Sequence, residues 1–167
     1  MKRDPRLNPL SWQHQRTLAL AHRTGAALDK ASVPLETVTA DIDSLWRQEI
    51  DPHFRAEETI LFPPAQALRL CRDEIEQVLQ EHQRLRELFR LIERGDVPAE
   101  LRCHLREFAE LLIRHIRFEE RTVFPALEKA LPKEQLEAIG RNLSAFHEQT
   151  RPDACPAPPS REAPKRQ

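Results

Sequence analysis

Apolar residues recur every three or four positions through most of this chain, and this spacing is the strongest constraint on its fold. Such spacing is typical of amphipathic helices. Four long segments carry the pattern: Leu7 to Leu28, Leu35 to Phe62, Ile75 to Ile92 and Leu101 to Phe124. A shorter fifth segment covers residues 133–149. The sequence therefore predicts an all-α fold.

Glycine and proline mark the predicted helix ends. Gly95 is predicted to end the third segment, and Pro63 and Pro125 to end the second and fourth. Pro52 is predicted to kink the second helix just before His53. Short connections between long amphipathic helices favour an up-down-up-down four-helix bundle, with the fifth segment as a short additional C-terminal helix.

Residues 1–150 are predicted to form one domain. Residues 151–167 contain five prolines and are predicted to be a disordered tail. The net charge of −1 gives no electrostatic reason to bind nucleic acid or an anionic membrane. The first ten residues lack the apolar run of a signal peptide, and no stretch is apolar enough to span a membrane. With three cysteines and no C-x-x-C pair, the expected location is the reducing cytoplasm.

Two short stretches of the sequence are nearly repeated. HFRAEETILFP at residues 53–63 and HIRFEERTVFP at residues 115–125 share six of eleven positions. In each, a glutamate follows a histidine by four residues, so both side chains lie on one face of a helix. Each histidine also continues an apolar stripe. Glu57 and Glu119 are therefore predicted to point into the core.

Two further histidines, His14 and His82, interrupt the stripes of the first and third segments. At a rise of about 1.5 Å per residue, all four histidines lie about 9–14 Å from the same end of an alternating bundle. A single histidine on an apolar stripe is usually a hydrogen-bonded core residue. Six ionisable groups in one apolar layer, however, would be costly to bury without a ligand. The predicted metal-binding residues are His14, His53, Glu57, His82, His115 and Glu119.

Imidazole and carboxylate ligands without thiolate suit iron, manganese or zinc. Six ligands are too many for one tetrahedral zinc but suit two metal ions, each bound by two histidines, with both glutamates bridging. No glutamate in the sequence has a histidine three residues later, which disfavours a ferritin-like site. Glu49, four residues before His53, is a candidate partner for the distal nitrogen of that imidazole. A solvated surface charge is the alternative for Glu49.

The order His, H-x-x-x-E, His, H-x-x-x-E resembles the hemerythrin-like (HHE) cation-binding domains over about residues 8–130. The resemblance implies two iron ions, with an oxo or hydroxo bridge, held by four terminal histidines and two bridging glutamates. Zinc or manganese is less expected. Oxygen carriers of the family have a fifth histidine one turn from the third-helix ligand, whereas Val78 and Arg86 take those positions here. The resemblance then implies an open position on both irons.

The function implied by the resemblance is binding or sensing of oxygen, nitric oxide or peroxide. One alternative is an enzyme that turns over peroxide or nitric oxide. Another is iron storage or donation, as in the similar proteins linked to repair of iron–sulfur centres, which carry an additional cysteine-containing N-terminal domain. A zinc-stabilised bundle without gas chemistry also stays open. The sequence also leaves open whether the chain binds a protein partner or forms a homodimer.

Overall fold

The computed structural model describes residues 3–30, 33–95 and 97–150, and these residues contain helices and connections but no strand. The helices are α1 (Asn8–Leu28), α2 (residues 35–67), α3 (Arg72–Arg94), α4 (residues 98–130) and α5 (Lys133–Thr150). The short 3₁₀ turn Pro5–Leu7 leads into α1. The prediction of an all-helical chain is confirmed. The predicted tail, residues 151–167, lies outside the described residues.

Helices α2 and α4 are not uniform, because each contains π-helical turns. Helix α2 consists of the α-helical segments Leu35–Leu45, Asp51–Ala56 and Phe62–Ala67, separated by the π turns Trp46–Ile50 and Glu57–Leu61. Helix α4 consists of Pro98–Phe118, the π turn Glu119–Val123, and Phe124–Ala130. The second π turn of α2 and the π turn of α4 both begin at the glutamate of the repeated motif.

Each π turn is followed, after one residue, by a proline: Pro52, Pro63 or Pro125. A proline ring clashes with the carbonyl group four residues earlier in an α-helix. Before each of these prolines the backbone N–H bonds instead to the carbonyl five residues back, as Phe62 does to Glu57. We infer that the wider turn makes room for the ring, because the helix continues beyond it.

The predicted ends of the second and fourth helices are therefore wrong. Helix α2 continues to Ala67 and α4 continues to Ala130, several residues beyond Pro63 and Pro125. The predicted end of the third helix is confirmed. Gly95 follows α3 with a φ of 58°, the left-handed conformation that glycine adopts without steric cost.

The packing places the polar layer of the motifs between two apolar clusters. Helix α1 packs on α2 and α4, and α3 packs on the same two helices. One cluster surrounds Trp46, Phe54 and Phe108, and the other surrounds Phe62 and Phe124. Helix α5 covers the second cluster with its buried residues Leu136, Ile139 and Leu143. None of the described helices is long and apolar enough to cross a membrane.

Candidate metal centre

The six predicted side chains meet in the layer between the two apolar clusters. The most exposed of them, His53, has only 4% of its surface accessible. Helix α1 contributes His14, α2 His53 and Glu57, α3 His82, and α4 His115 and Glu119. Four helices thus each supply one histidine, and the two helices with the repeated motif also supply the carboxylates.

The six residues form two groups that share both glutamates. In each group, one nitrogen or oxygen atom from each of four residues lies within 4.8 Å of the others. The first group contains His14 and His53, which we name the 14/53 pair. The second contains His82 and His115, the 82/115 pair. Both groups contain Glu57 and Glu119, so each carboxylate is within reach of both pairs.

The Nε2 atom of every histidine points at a carboxylate. The Nε2–Oε distances are 3.1 Å for His14–Glu119, 3.3 Å for His53–Glu57, 3.3 Å for His82–Glu57 and 3.3 Å for His115–Glu119. The Nε2 atoms of the 14/53 pair also lie 2.8 Å apart. The four nitrogens therefore converge on the space that the two carboxylates line.

The other ring nitrogen, Nδ1, of every histidine is held by an oxygen acceptor. The Nδ1–O distances are 2.7 Å for His14–Glu120, 3.1 Å for His53–Gln13, 2.8 Å for His82–Glu58 and 2.9 Å for His115–Glu81. Because carboxylate and amide oxygens can only accept, Nδ1 carries the hydrogen and donates it. This arrangement fixes the ring and directs Nε2 inward, as is usual for histidines that bind metals.

Sequence reasoning missed these four acceptors. Glu58 and Glu120 each follow a motif glutamate and point about 100° away from it on their own helix, a direction for which solvation or a salt bridge is the sequence-based expectation. Each does form a salt bridge with an arginine, and each also reaches an imidazole on a neighbouring helix. The doubled glutamate in both copies of the motif was the available signal for this role. Gln13 and Glu81 gave a weaker signal, since each directly precedes His14 or His82.

Of the two alternatives for Glu49, the structure agrees with the surface charge and not with a partner of the His53 ring. Gln13 occupies the Nδ1 position, and the Glu49 carboxylate accepts a hydrogen bond of 2.7 Å from Arg16. Glu49 lies in the π turn Trp46–Ile50, whose extra residue rotates it away from the face that carries His53.

Most of the buried polar atoms without a partner belong to this centre. Both carboxylate oxygens of Glu57 and of Glu119, and Nε2 of His82 and His115, are buried and form no hydrogen bond. Outside the centre, the only other buried side-chain atoms without a hydrogen-bond partner among the described residues are Arg3 Nε and His147 Nε2. Leaving such atoms unsatisfied costs about 1–3 kcal/mol each, and more for charged groups. The nitrogen and oxygen donors fit iron, manganese or zinc ions, which would satisfy them.

The electrostatics of the centre favour positive charge. Burial lowers the pKa of His14, but the adjacent carboxylates of Glu119 and Glu120 outweigh it and raise that pKa to about 9. Burial also lowers the pKa of His82, but the carboxylates of Glu57 and Glu58 outweigh this effect and raise that pKa to about 9. Burial raises the pKa of Glu57, yet the nearby imidazoles bring it well below its usual value. The buried carboxylates thus stabilise cations, whether protons or metal ions.

A small cavity adjoins three of the four histidines. Its lining consists of His14, Thr17, Ile50, His53, Phe54, Leu112, His115 and Ile116. The cavity has about 10 Å³ of space for the centre of a water-sized molecule, which is room for about one such molecule. Apart from the histidines and the Thr17 hydroxyl, the walls are apolar.

The two positions one turn from His82 carry no imidazole. Val78 is fully buried in the second apolar cluster. Arg86 donates to both oxygens of Glu58, at 2.8 and 3.1 Å, and its guanidinium lies over the Phe54 ring. The 82/115 pair therefore has the same number of histidines as the 14/53 pair.

These observations define an all-helical protein with buried histidine and glutamate clusters suited to metal ions. A family model for the hemerythrin HHE cation-binding domain matches residues 9–127, and matches again over residues 73–155. The chain belongs to this family. The second match begins near the start of α3, in line with the repeat of the motif in the second half. No significant match to the chain was found among the curated proteins or the solved structures.

Proposed function

We propose that this protein is a non-haem di-iron protein that binds or senses oxygen, nitric oxide or peroxide. One observation carries the proposal: two histidine pairs face the same two buried carboxylates, whose four oxygens have no hydrogen-bond partner. The proposed ligands are the histidines of the 14/53 and 82/115 pairs as terminal ligands, with Glu57 and Glu119 as bridges. Membership of a cation-binding family supports this assignment, because these residues offer the nitrogen and oxygen donors that a metal ion needs.

Two metal ions account for the geometry better than one. A single ion accommodates about four to six donors at distances of about 2.0–2.2 Å. Here the donors divide into two groups that have only the glutamates in common. Iron is preferred over zinc or manganese because the resemblance to hemerythrin-like domains implies a di-iron site, and the nitrogen and oxygen donors suit iron.

The residues around the proposed metal ions would hold them, exclude water and admit a small ligand. The Nδ1 hydrogen bonds hold each imidazole with Nε2 turned inward. The apolar lining of the cavity keeps bulk water and large molecules away from the histidines. When bound, the iron pair would supply open coordination positions and one-electron redox chemistry.

We also propose the up-down-up-down order for α1 to α4 within a single domain of residues 1–150. The connections between these helices are short, and α1 and α3 each pack on both α2 and α4. These contacts are those of neighbours around a square bundle. A cytoplasmic location remains our expectation, and a protein partner or a second copy of the chain remains open.

Redox turnover of peroxide or nitric oxide is the second candidate function. The observation that favours it is the equal number of histidines in the two pairs, since neither Val78 nor Arg86 offers a fifth imidazole. An oxygen carrier gains from one open and one saturated iron, whereas two open irons suit chemistry at both. Iron storage or donation would instead require readily exchangeable metal.

The test begins with anaerobic loading of the full chain with Fe(II), a count of bound iron, and a visible spectrum before and after oxygen. A second sample receives nitric oxide. We expect about two irons per chain and an oxo-bridged diferric absorption band that responds to a gas. Continuous consumption of peroxide or nitric oxide would favour the enzyme. One iron or none, or a count unchanged in both His53→Ala and His115→Ala, would contradict the proposal.

A further inference from the structure

The two histidine pairs are held alike in one respect. His14 and His82, the histidines outside the H-x-x-x-E motifs, each donate through Nδ1 to a carboxylate, that of Glu120 or Glu58. Each of these carboxylates is also bound by an arginine, Arg3 at 2.6 Å for Glu120 and Arg86 at 2.8 Å for Glu58. The negative charge behind each of the two rings is therefore paired with an arginine.

The motif histidines, in contrast, are held differently. His115 donates to the carboxylate of Glu81 at 2.9 Å, whereas His53 donates to the amide oxygen of Gln13 at 3.1 Å. Gln13 and Glu81 occupy equivalent positions, each directly before the first histidine of its half. In the described part of the chain, the only other hydrogen bond to the Glu81 side chain comes from the amide of Gln77. Within the described ranges, no lysine or arginine forms an ion pair with Glu81.

One negative charge thus distinguishes the surroundings of the two pairs. An imidazole that donates to a carboxylate becomes a more basic ligand, because the negative charge stabilises the charge that the ring gives up to the metal. A neutral amide does this less well. The 82/115 pair has two carboxylate acceptors, and the 14/53 pair has one carboxylate and one amide.

Burial acts in the same direction. His82 and His115 are fully buried, whereas His14 and His53 retain 2% and 4% of their surface. Gln13 itself lines a surface cleft that also contains Trp12, Arg16 and His147. The 14/53 pair therefore lies slightly closer to solvent, from which a metal ion enters and leaves.

We propose that Gln13 and Glu81 make the two metal positions unequal, so that the 82/115 position fills first and binds its ion more tightly. The 14/53 position fills second and exchanges its ion more readily. Both residues act through a histidine and are positioning residues. This inference rests on the proposed dinuclear site and adds an order to it.

The test is a titration of the full chain with Co(II) under anaerobic conditions. Glu81→Gln and Gln13→Glu exchange the charge while keeping an oxygen acceptor and the side-chain size. We expect two dissociation constants at least about 10-fold apart in the wild-type protein, within the 10–100-fold range of such outer partners. Either single variant should reduce this separation about 10-fold. The double variant should reverse the order of filling.

NMR identifies which position fills first. Co(II) shifts the Nδ1–H signal of a bound histidine far outside the usual range, and His115→Ala and His53→Ala assign the signals to the two pairs. A purely structural role of Glu81 would leave the order of these shifts unchanged. Glu49→Gln, which removes a charge from the surface pair with Arg16, is the matched control and should change nothing.

Equal dissociation constants in the wild-type protein would overturn the inference and leave the dinuclear site standing. The inference would also be overturned if the two dissociation constants stayed equally far apart in both single variants. It would be overturned as well if the first shifted Nδ1–H signal came from the 14/53 pair. Failure of the wild-type protein to bind two ions would instead contradict the proposed function itself. The unfolding transition of each variant, measured in parallel, shows whether a changed constant reflects the site or a loss of fold.

Discussion

The two halves of this protein, residues 8–67 and 72–130, supply the same candidate ligands but hold them differently. Each half contributes one histidine from its first helix and an H-x-x-x-E motif from its second, and each motif glutamate begins a π turn. The first half has an additional π turn, which lies before Pro52. It also has the neutral Gln13 as the partner of its motif histidine. The second half has the charged Glu81 at the equivalent position. The halves are therefore alike at the atoms that face the two shared carboxylates, and they differ one contact further out.

The largest effect is expected where the two halves meet. Glu57 and Glu119 face both histidine pairs, so Glu57→Ala or Glu119→Ala should reduce the metal content from two ions per chain to nearly none. His53→Ala or His115→Ala should remove one ion, because each histidine belongs to a single pair. Metal analysis after gel filtration measures the content.

Glu49→Ala is the control for this series and should retain both ions. If the glutamate variants lost only one ion, as the histidine variants do, the carboxylates would not be shared and the division of the site into two linked halves would be wrong.

A second prediction compares equivalent apolar residues of the two motifs, Phe54 and Ile116. Phe54 is buried and its ring stacks on His82 with centroids 3.8 Å apart. Phe54→Ala should lower the free energy of unfolding by about 3–5 kcal/mol, and Ile116→Ala by about 2–5 kcal/mol. Urea unfolding of the metal-free protein gives both values.

Trp12→Ala is a suitable control, because Trp12 is 59% exposed and should cost little. A Phe54→Ala cost no greater than that of Trp12→Ala would show that the ring does not contribute to the packing beside the 82/115 pair.

A third prediction concerns how the stability of the metal-free protein depends on pH. One histidine in each half determines this dependence. The pKa of His14 and of His82 is about 9 in the folded protein and about 6.5 when unfolded. Because these folded-state values are raised, both groups stabilise the metal-free protein fully below about pH 6.5, and this stabilisation is lost as the pH rises through about 9. Metal ions compete with the same protons, so metal affinity should rise over this interval.

Denaturant unfolding of the metal-free protein at pH 6.5 and 9.5 provides the measurement. His14→Gln and His82→Gln should each remove part of the loss of stability at high pH. A free energy of unfolding that stays constant between the two pH values, in the wild-type protein, would contradict this account of the electrostatics.

The smallest effect is expected for the arginines behind the outer carboxylates. Arg86 is three-quarters buried and forms a two-point contact with Glu58, so Arg86→Met should lower the free energy of unfolding by about 1–3 kcal/mol. Arg84 forms an exposed pair with Glu107, and Arg84→Met should change it by less than about 0.5 kcal/mol. Urea unfolding compares the two. Equal costs would show that Glu58 is held by His82 alone.

The sequence was sufficient to predict the helices and the six converging residues, because both depend on spacing within single helices. The four histidines interrupt apolar stripes, and the repeat of H-x-x-x-E places each glutamate one turn further along the same face. The helix ends at Pro63 and Pro125 were mispredicted for a specific reason. The rule that proline ends a helix assumes α-helical geometry, and π turns relieve the clash.

The outer hydrogen bonds could not be predicted from spacing, because they join different helices. Glu58 reaches His82, and Glu120 reaches His14, only once the rotation and height of each helix are fixed. The position of Glu49 could not be predicted for a related reason, since one extra residue in the π turn moves it off the helix face that carries His53. Register between helices, rather than helix content, is what a single sequence leaves undetermined here.

The most direct test of the central claim is a crystal structure of the iron-loaded protein with anomalous diffraction recorded at the iron absorption edge. We predict two anomalous peaks about 3.5–4 Å apart, one bound by Nε2 of His14 and His53, the other by Nε2 of His82 and His115. Glu57 and Glu119 should each contact both. A single peak, or two peaks that share neither carboxylate, would contradict the account.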